Sequence, residues 1–167
     1  LLLVVRLMTL YSLGFGYTLN SDDASYINSG ITFARTGTIT MHNQYPSAQI
    51  MPGMTVLIGL FVLVFGEGKL LWLSLKLLWI LMDLGTAWFL YRSVSLFTPK
   101  WCGWLGMLPL FRADFLWMNS TILTETPFLL ALTGMVYYTL RMGKQPGYRN
   151  FWPCAWWYMF GLTMKAN

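Results

Sequence analysis

Charged side chains are scarce in this 167-residue chain: Asp, Glu, Lys and Arg make up 10% of it, against about 25% in an ordinary soluble domain. Eleven basic and six acidic residues cannot cover the surface of a soluble domain of this size, which excludes a soluble globular enzyme. Polar residues are too few for a disordered tail. Cysteine is limited to Cys102 and Cys154, both in Trp-rich apolar sequence and without metal-ligand spacing. That excludes a secreted disulfide scaffold and fits two buried thiols. Histidine occurs once, at His42 in a polar stretch, where a solvated side chain is the simpler reading than a ligand or base. The net charge of +5 is spread between apolar runs rather than gathered in a patch, which excludes a nucleic-acid partner.

What is abundant is apolar and aromatic. Hydrophobic residues make up 56% of the chain and aromatic residues 17%, with mean hydropathy +0.53. The expected fold is all-α and integral to a membrane: a multi-span helical bundle with a long outer loop carrying short juxtamembrane helices. Spans are expected at about 1–19, 70–91, 101–118, 126–140 and 151–167, with an outer loop over 20–69. The apolar run 52–65 is short for a span and suits an interfacial or re-entrant helix. With that run on one side and the N-terminus inside, Arg6 and the basic segments 92–100 and 141–149 fall in the cytoplasm. Asp22, Asp23, Glu67 and Glu125 then fall outside, as the positive-inside rule prefers. The chain opens Leu-Leu-Leu-Val-Val and stops within an apolar run, so a piece of a longer protein is expected.

The long outer loop holds the candidate chemistry, as loops of this length usually do. Asn20-Ser21-Asp22-Asp23 follows the first span, and a short helix is expected over 24–36, stopped by Gly37. Ser21 or Asp22 suits its N-cap, and the acid pair favours the positive end of the helix dipole. Capping alone would explain the pair; a carboxylate at the membrane face also suits a general base or a cation ligand. Glu125, in Thr124-Glu125-Thr126-Pro127, equally fits a helix start. In this topology, however, it faces the same compartment as Asp22, from a loop about 100 residues away, and that convergence points to a shared site.

Lys165 lies about 14 residues into the last span, a rise of about 20 Å towards the outer face. A lysine costs about 2.5–3.5 kcal/mol at the bilayer centre, so it should snorkel outward or meet a carboxylate or lipid phosphate. Arg112 and Asp114 are positioned to pair with each other or with the site. Lys76 and Asp83, seven apart on one helix face, read as polar residues of the bundle interior. Asn119-Ser120-Thr121 matches an N-glycosylation acceptor, a short pattern close to the membrane.

Together these elements resemble the N-terminal half of a GT-C-fold glycosyltransferase. They are most similar to the group that includes protein O-mannosyltransferases and lipid A aminoarabinose transferases. The resemblance rests on Asp22-Asp23-Ala24-Ser25-Tyr26 after the first span and on the re-entry element Met51-Pro52-Gly53 with its short helix ending Phe65-Gly66. Thr124-Glu125-Thr126-Pro127 in the next outer loop and Thr163-Met164-Lys165-Ala166 closing the fifth span complete it. The acid pair is Asp-Asp where the group commonly has Asp-Glu, and Ser47-Ala48-Gln49-Ile50 lacks the lysine that some relatives place before the re-entry proline.

The resemblance implies an inverting sugar transfer on the outer side of a bacterial plasma membrane. The donor would be a polyprenyl- or dolichyl-phosphate sugar, and the acceptor a lipid, glycan or protein hydroxyl. Asp22 would be the base, with Asp23 and Glu125 as further catalytic acids and Glu125 orienting the acceptor or a basic partner. Lys165, with Arg112 and Arg35 behind it, would stabilise the leaving phosphate, and Tyr26 would contact substrate. No cofactor is implied, and a divalent metal is possible but not required. The competing expectation is a transport or envelope-assembly protein whose buried charges line a pathway.

Overall fold

In the computed structural model, which describes residues 1–41, 45–46, 51–118 and 120–165, the chain is all-α. His42, Asn119 and the segment 47–50 lie outside the described residues. The helices are α1 (Leu2–Leu13), α2 (Asp22–Thr36), α3 (Pro52–Phe65), α4 (Lys69–Val94), a 3-10 helix (Lys100–Phe111), α5 (Ala113–Met118), α6 (Glu125–Lys144) and α7 (Tyr148–Met164). A two-residue antiparallel pair, β1 (Thr40–Met41) with β2 (Tyr45–Pro46), sits between α2 and α3.

Breaker residues set most of these limits. Gly37 closes α2 in the left-handed conformation, with its amide on Phe33. Pro52 opens α3 in the first turn, where its missing N–H costs nothing. Gly66 and Gly68, both at positive φ, separate α3 from α4. α1 stops at Gly14, six residues short of the expected span end.

The expected span 101–118 is not one α-helix. A 12-residue 3-10 helix and the six-residue α5 replace it, meeting at Arg112 in extended backbone. Pro109 inside this stretch cannot donate a backbone hydrogen bond. Gly103 lets it lie close against the end of α4: a Cβ there would stand 2.3 Å from Ser95 Oγ and 2.6 Å from the Tyr91 ring.

α4 is the hub, packing against α1, α3, α6 and the 3-10 helix. On one side Ile27, Met54, Ile58, Leu75, Trp79 and Ile122 join α2, α3 and α4 with the 120–124 segment. Further along, Met82 and Phe89 pack with Leu130 and Tyr137 of α6. A third cluster ties Leu2 of α1 to Ala87 and Leu110. α6 and α7 form an antiparallel hairpin.

Among the described residues one helix, α4, is long and apolar enough to cross a membrane, and half of its apolar stretch is buried within the protein. The multi-span arrangement expected from the sequence is therefore not shown by the described helices. The Arg6 side chain, read from the sequence only as a topological charge, is buried and pairs with Asp83 of α4.

Candidate functional site

The site is assembled where four helix ends meet: the starts of α2, α3 and α6, and the end of α7. Two ties hold this junction. The Trp79 indole of α4 donates to the carbonyl of Leu123 at 2.9 Å, fixing the buried segment before α6. Gly53, at the start of α3, lies so close to α7 that a Cβ would stand 2.6 Å from the Thr163 carbonyl oxygen.

The two neighbouring acids of α2 have different environments. Asp23 is fully buried. Its Oδ2 accepts from Thr18 Oγ1 at 2.7 Å and from the Leu19 amide at 2.8 Å. Its Oδ1 accepts from the amides of Ser21 at 3.3 Å and Ala24 at 2.9 Å. Burial pushes this carboxyl up, but the four hydrogen bonds outweigh it, and its pKa falls below the ordinary carboxylate value. Asp23 therefore performs the capping expected of Ser21 or Asp22, since Ser21 occupies the N-cap position without a side-chain bond. Asp22 is exposed, and no hydrogen bond holds its carboxylate among the described residues.

Tyr26 lies one turn beyond Asp22 on the same face of α2. Its hydroxyl hydrogen-bonds Thr124, the residue before α6, and feels the charges of Asp22, Glu125 and Lys165. Burial raises the phenol's pKa; Asp22 and Glu125 add to the shift, while the Thr124 bond and Lys165 oppose it. Lys165, directly after α7, extends Nζ to 3.0 Å from Glu125 Oε1, with both side chains about a third exposed. Its ammonium also stands 6.0 Å from the centre of the Phe128 ring.

The structure thus pairs Glu125 with Lys165 and sets Tyr26 within electrostatic reach of that pair and of Asp22, while Asp23 is buried and bonded to residues 18–24. It leaves Arg35 and Arg112 elsewhere. Arg35 Nε is 2.9 Å from Glu67 Oε1, and Arg112 pairs with Asp114 at 2.7 Å; both pairs are solvent-exposed.

An apolar groove of about 400 Å³ runs between α6 and α7 past Phe128, Leu132, Met135, Trp157 and Tyr158, and Lys165 also lines it. The arrangement offers an ammonium on an apolar groove, with a phenol within its electrostatic reach and an exposed carboxylate within reach of that phenol. That combination can accept a proton and neutralise an anion attached to a greasy chain. Among the described residues no three His, Cys, Asp or Glu side chains gather as a metal-ligand group.

Sequence reasoning missed several supporting contacts. Arg6 of α1 is buried with its Nε 2.7 Å from Asp83 Oδ2, and its other nitrogens donate to the carbonyls of Phe115 and Leu110. Lys76 is buried, as expected of an interior residue, and donates to the Tyr17 carbonyl at 2.7 Å. The Lys76 ammonium is within electrostatic reach of Asp23. Partners so distant along the chain leave no local signal. Thr124 was legible as a cap, but its side chain makes no capping bond and is instead the hydrogen-bond partner of Tyr26. Compared with protein-family models, curated proteins and solved structures, the chain matches none.

Proposed function

We propose that this chain is part of an inverting glycosyltransferase of the GT-C type, embedded in a membrane as a multi-span bundle. It would transfer a sugar from a polyprenyl- or dolichyl-phosphate donor to a hydroxyl on the extracytoplasmic side. The observation that carries the proposal is the Lys165–Glu125 pair, whose lysine lines an apolar groove, with Tyr26 within electrostatic reach of both that pair and the exposed Asp22 carboxylate.

The surface supports a membrane setting. Large apolar side chains are exposed on successive helices, among them Met8, Leu63, Leu81, Trp104 and Trp156. Such a surface is a liability in water and ordinary in lipid. The 3-10 helix rises about 2.0 Å per residue, so its 12 residues extend about 24 Å. The six-residue α5 adds about 9 Å at 1.5 Å per residue. Laid end to end the two total about 33 Å, the order of a hydrocarbon core of about 30 Å.

In the proposed reaction the acceptor hydroxyl loses its proton to Asp22 as its oxygen attacks the anomeric carbon from the face opposite the phosphate. The bond from that carbon to the phosphate oxygen breaks, and its electron pair leaves with the lipid phosphate. Asp22 suits the base because it is exposed and unbonded, whereas both oxygens of Asp23 are engaged. Lys165 neutralises the leaving phosphate, with Glu125 holding its ammonium in place. Tyr26 presents a hydroxyl between them. The lipid chain lies in the groove.

A transport role is the second reading, drawn from the buried Arg6, Lys76 and Asp83. Arg6 and Asp83 are held to each other, and Lys76 is bonded to a backbone carbonyl. Such fixed contacts suit structural ties better than a conduction path.

The test is sugar transfer from labelled polyprenyl-phosphate sugars in vesicles, using the complete reading frame and an Asp22→Asn variant expressed to the same level. A general base contributes about 10²–10⁴-fold, so loss of at least a hundredfold supports the assignment. Transfer by wild type that Asp22→Asn leaves intact removes Asp22 from the role. Absence of transfer from any donor moves the transport reading to the front.

A further inference from the structure

The end of the bundle opposite this site carries positive charge that the protein does not neutralise. Of the six acids, Asp83, Asp114, Glu67 and Glu125 are paired with Arg6, Arg112, Arg35 and Lys165. Asp22 and Asp23 lie at the start of α2. No acid follows Glu125 in the chain. The turn between α6 and α7 nevertheless holds Arg141, Lys144 and Arg149. Lys144 is occupied: its ammonium donates to the Leu96 carbonyl and stands 4.6 Å from the centre of the Phe97 ring. Among the described residues, Arg141 and Arg149 have no carboxylate partner.

Both arginines line one recess of about 430 Å³, together with Tyr138, Gln145 and Asn150. The recess is shaped by a local tie: the buried Asn150 donates its Nδ2 to the Gln145 carbonyl at 2.8 Å, closing the turn. Pro153 lines this recess and also the adjoining groove of about 520 Å³, whose other walls are Leu130, Trp152, Trp156, Trp157 and Phe160. A dibasic pocket therefore shares a wall with an aromatic channel. That is the shape of an amphiphile with an anionic head and a long apolar tail.

We infer that the α6–α7 turn is a binding site for an anionic glycerophospholipid, with its phosphate between Arg141 and Arg149 and an acyl chain along Trp152, Trp156 and Phe160. The inference rests on the membrane setting proposed above. Arginine is suited to the head because its planar fork takes two phosphate oxygens at once, and basic recesses between membrane helices are known to hold anionic head groups. The site is distinct from the one at Lys165. α7 has 17 residues, which at 1.5 Å each separate its ends by about 25 Å, so the two sites face opposite leaflets.

The experiment uses the full-length protein in phosphatidylcholine nanodiscs titrated with phosphatidylglycerol, with lipid retention read by native mass spectrometry. Wild type should retain phosphatidylglycerol over phosphatidylcholine. Arg141→Gln with Arg149→Gln should weaken that retention roughly 30-fold, taking about 1 kcal/mol per basic residue. Arg149→Gln alone, at an exposed position, should give about a fivefold loss. Trp156→Ala should weaken retention of the long-chain lipid. Equal retention of the two lipids by wild type overturns the inference, as does displacement of phosphatidylglycerol by an equal concentration of inorganic phosphate. Recovery of the protein in the soluble fraction after cell lysis overturns the membrane reading itself. Loss of sugar transfer in Asp22→Asn is independent of all these outcomes.

Discussion

The ammonium of Lys165 lies 3.0 Å from Glu125 Oε1, joining the residue after α7 to the first residue of α6 across 40 positions of sequence. Both side chains remain about a third exposed, so water and salt screen the pair, and its worth to folding is under about 1 kcal/mol. Lys165→Met should therefore shift thermal unfolding very little. If Lys165 receives the leaving phosphate, the same change should lower sugar transfer by about 10²–10³-fold. The contrast is the test: a large loss of stability with proportionate loss of transfer would make Lys165 a structural residue.

Arg6 and Asp83 present the opposite case. Their pair is almost fully buried, and Arg6 also satisfies the carbonyls of Leu110 and Phe115. Asp83→Asn leaves a buried guanidinium without its counter-charge, a loss of roughly 3–5 kcal/mol. Replacing both partners, Arg6→Met with Asp83→Leu, removes the stranded charge and should recover part of this. Recovery stays incomplete because the two carbonyls lose their donor, and each costs about 1 kcal/mol, at the lower end of the range for an unpaired buried group. Unfolding curves of the single and double variants measure the difference. A double variant no better than Asp83→Asn would show that the carbonyl bonds dominate.

Helix limits were legible wherever punctuation was strong. Pro52 and Gly66 delimit α3 at the residues expected, and Gly37 closes α2. The stretch 101–118 was not legible, because apolar composition marks a buried or lipid-facing segment without specifying its helix type. Gly103, Gly106 and Pro109 weaken the α form there, and close packing on α4 favours the narrower 3-10 coil. At the site, topology placed Asp22, Glu125 and Lys165 at one end of the bundle; the structure pairs Glu125 with Lys165 and sets Asp22 within electrostatic reach of Tyr26. The division of labour within Asp22-Asp23 was hidden, since only the backbone path of residues 18–21 decides which acid is buried. Arg6 read as a topological charge because its partner lies 77 residues away.

Asp23 supplies a pH signature. Its pKa is lower in the folded protein than the ordinary 3.8, so the unfolded chain binds its proton first as pH falls. The stabilisation it gives is complete well above 3.8 and disappears as pH drops through the lower folded value. Asp23→Asn keeps the shape but not the charge-assisted bonds, and it should both lower stability at neutral pH and flatten the acid limb of the stability profile. Unfolding midpoints from neutral pH down to the acid limit, for wild type and variant, check both effects. Parallel profiles would mean that Asp23 does not carry the acid sensitivity.

Two glycines with opposite surroundings test the junction that frames the site. A Cβ at Gly53 would stand 2.6 Å from the Thr163 backbone oxygen and 2.8 Å from its Oγ1. A side-chain hydroxyl can rotate away, but a helix carbonyl cannot, so Gly53→Ala must push α3 off α7. Overpacking of this kind costs about 1–3 kcal/mol. Because Lys165 follows Thr163 by two residues, the shift should also move its ammonium relative to Glu125 and, if the proposed function holds, lower sugar transfer beyond the loss of folded protein. Gly143, near the end of α6, has nothing within 4 Å of its Cβ direction. Gly143→Ala should therefore gain up to about 1 kcal/mol from helix propensity and leave transfer unchanged. Thermal unfolding of both variants beside wild type, with transfer measured per folded molecule, separates the outcomes. Equal tolerance at both positions would mean that α3 does not press on α7, and that the end of α7 is set by something other than the start of α3.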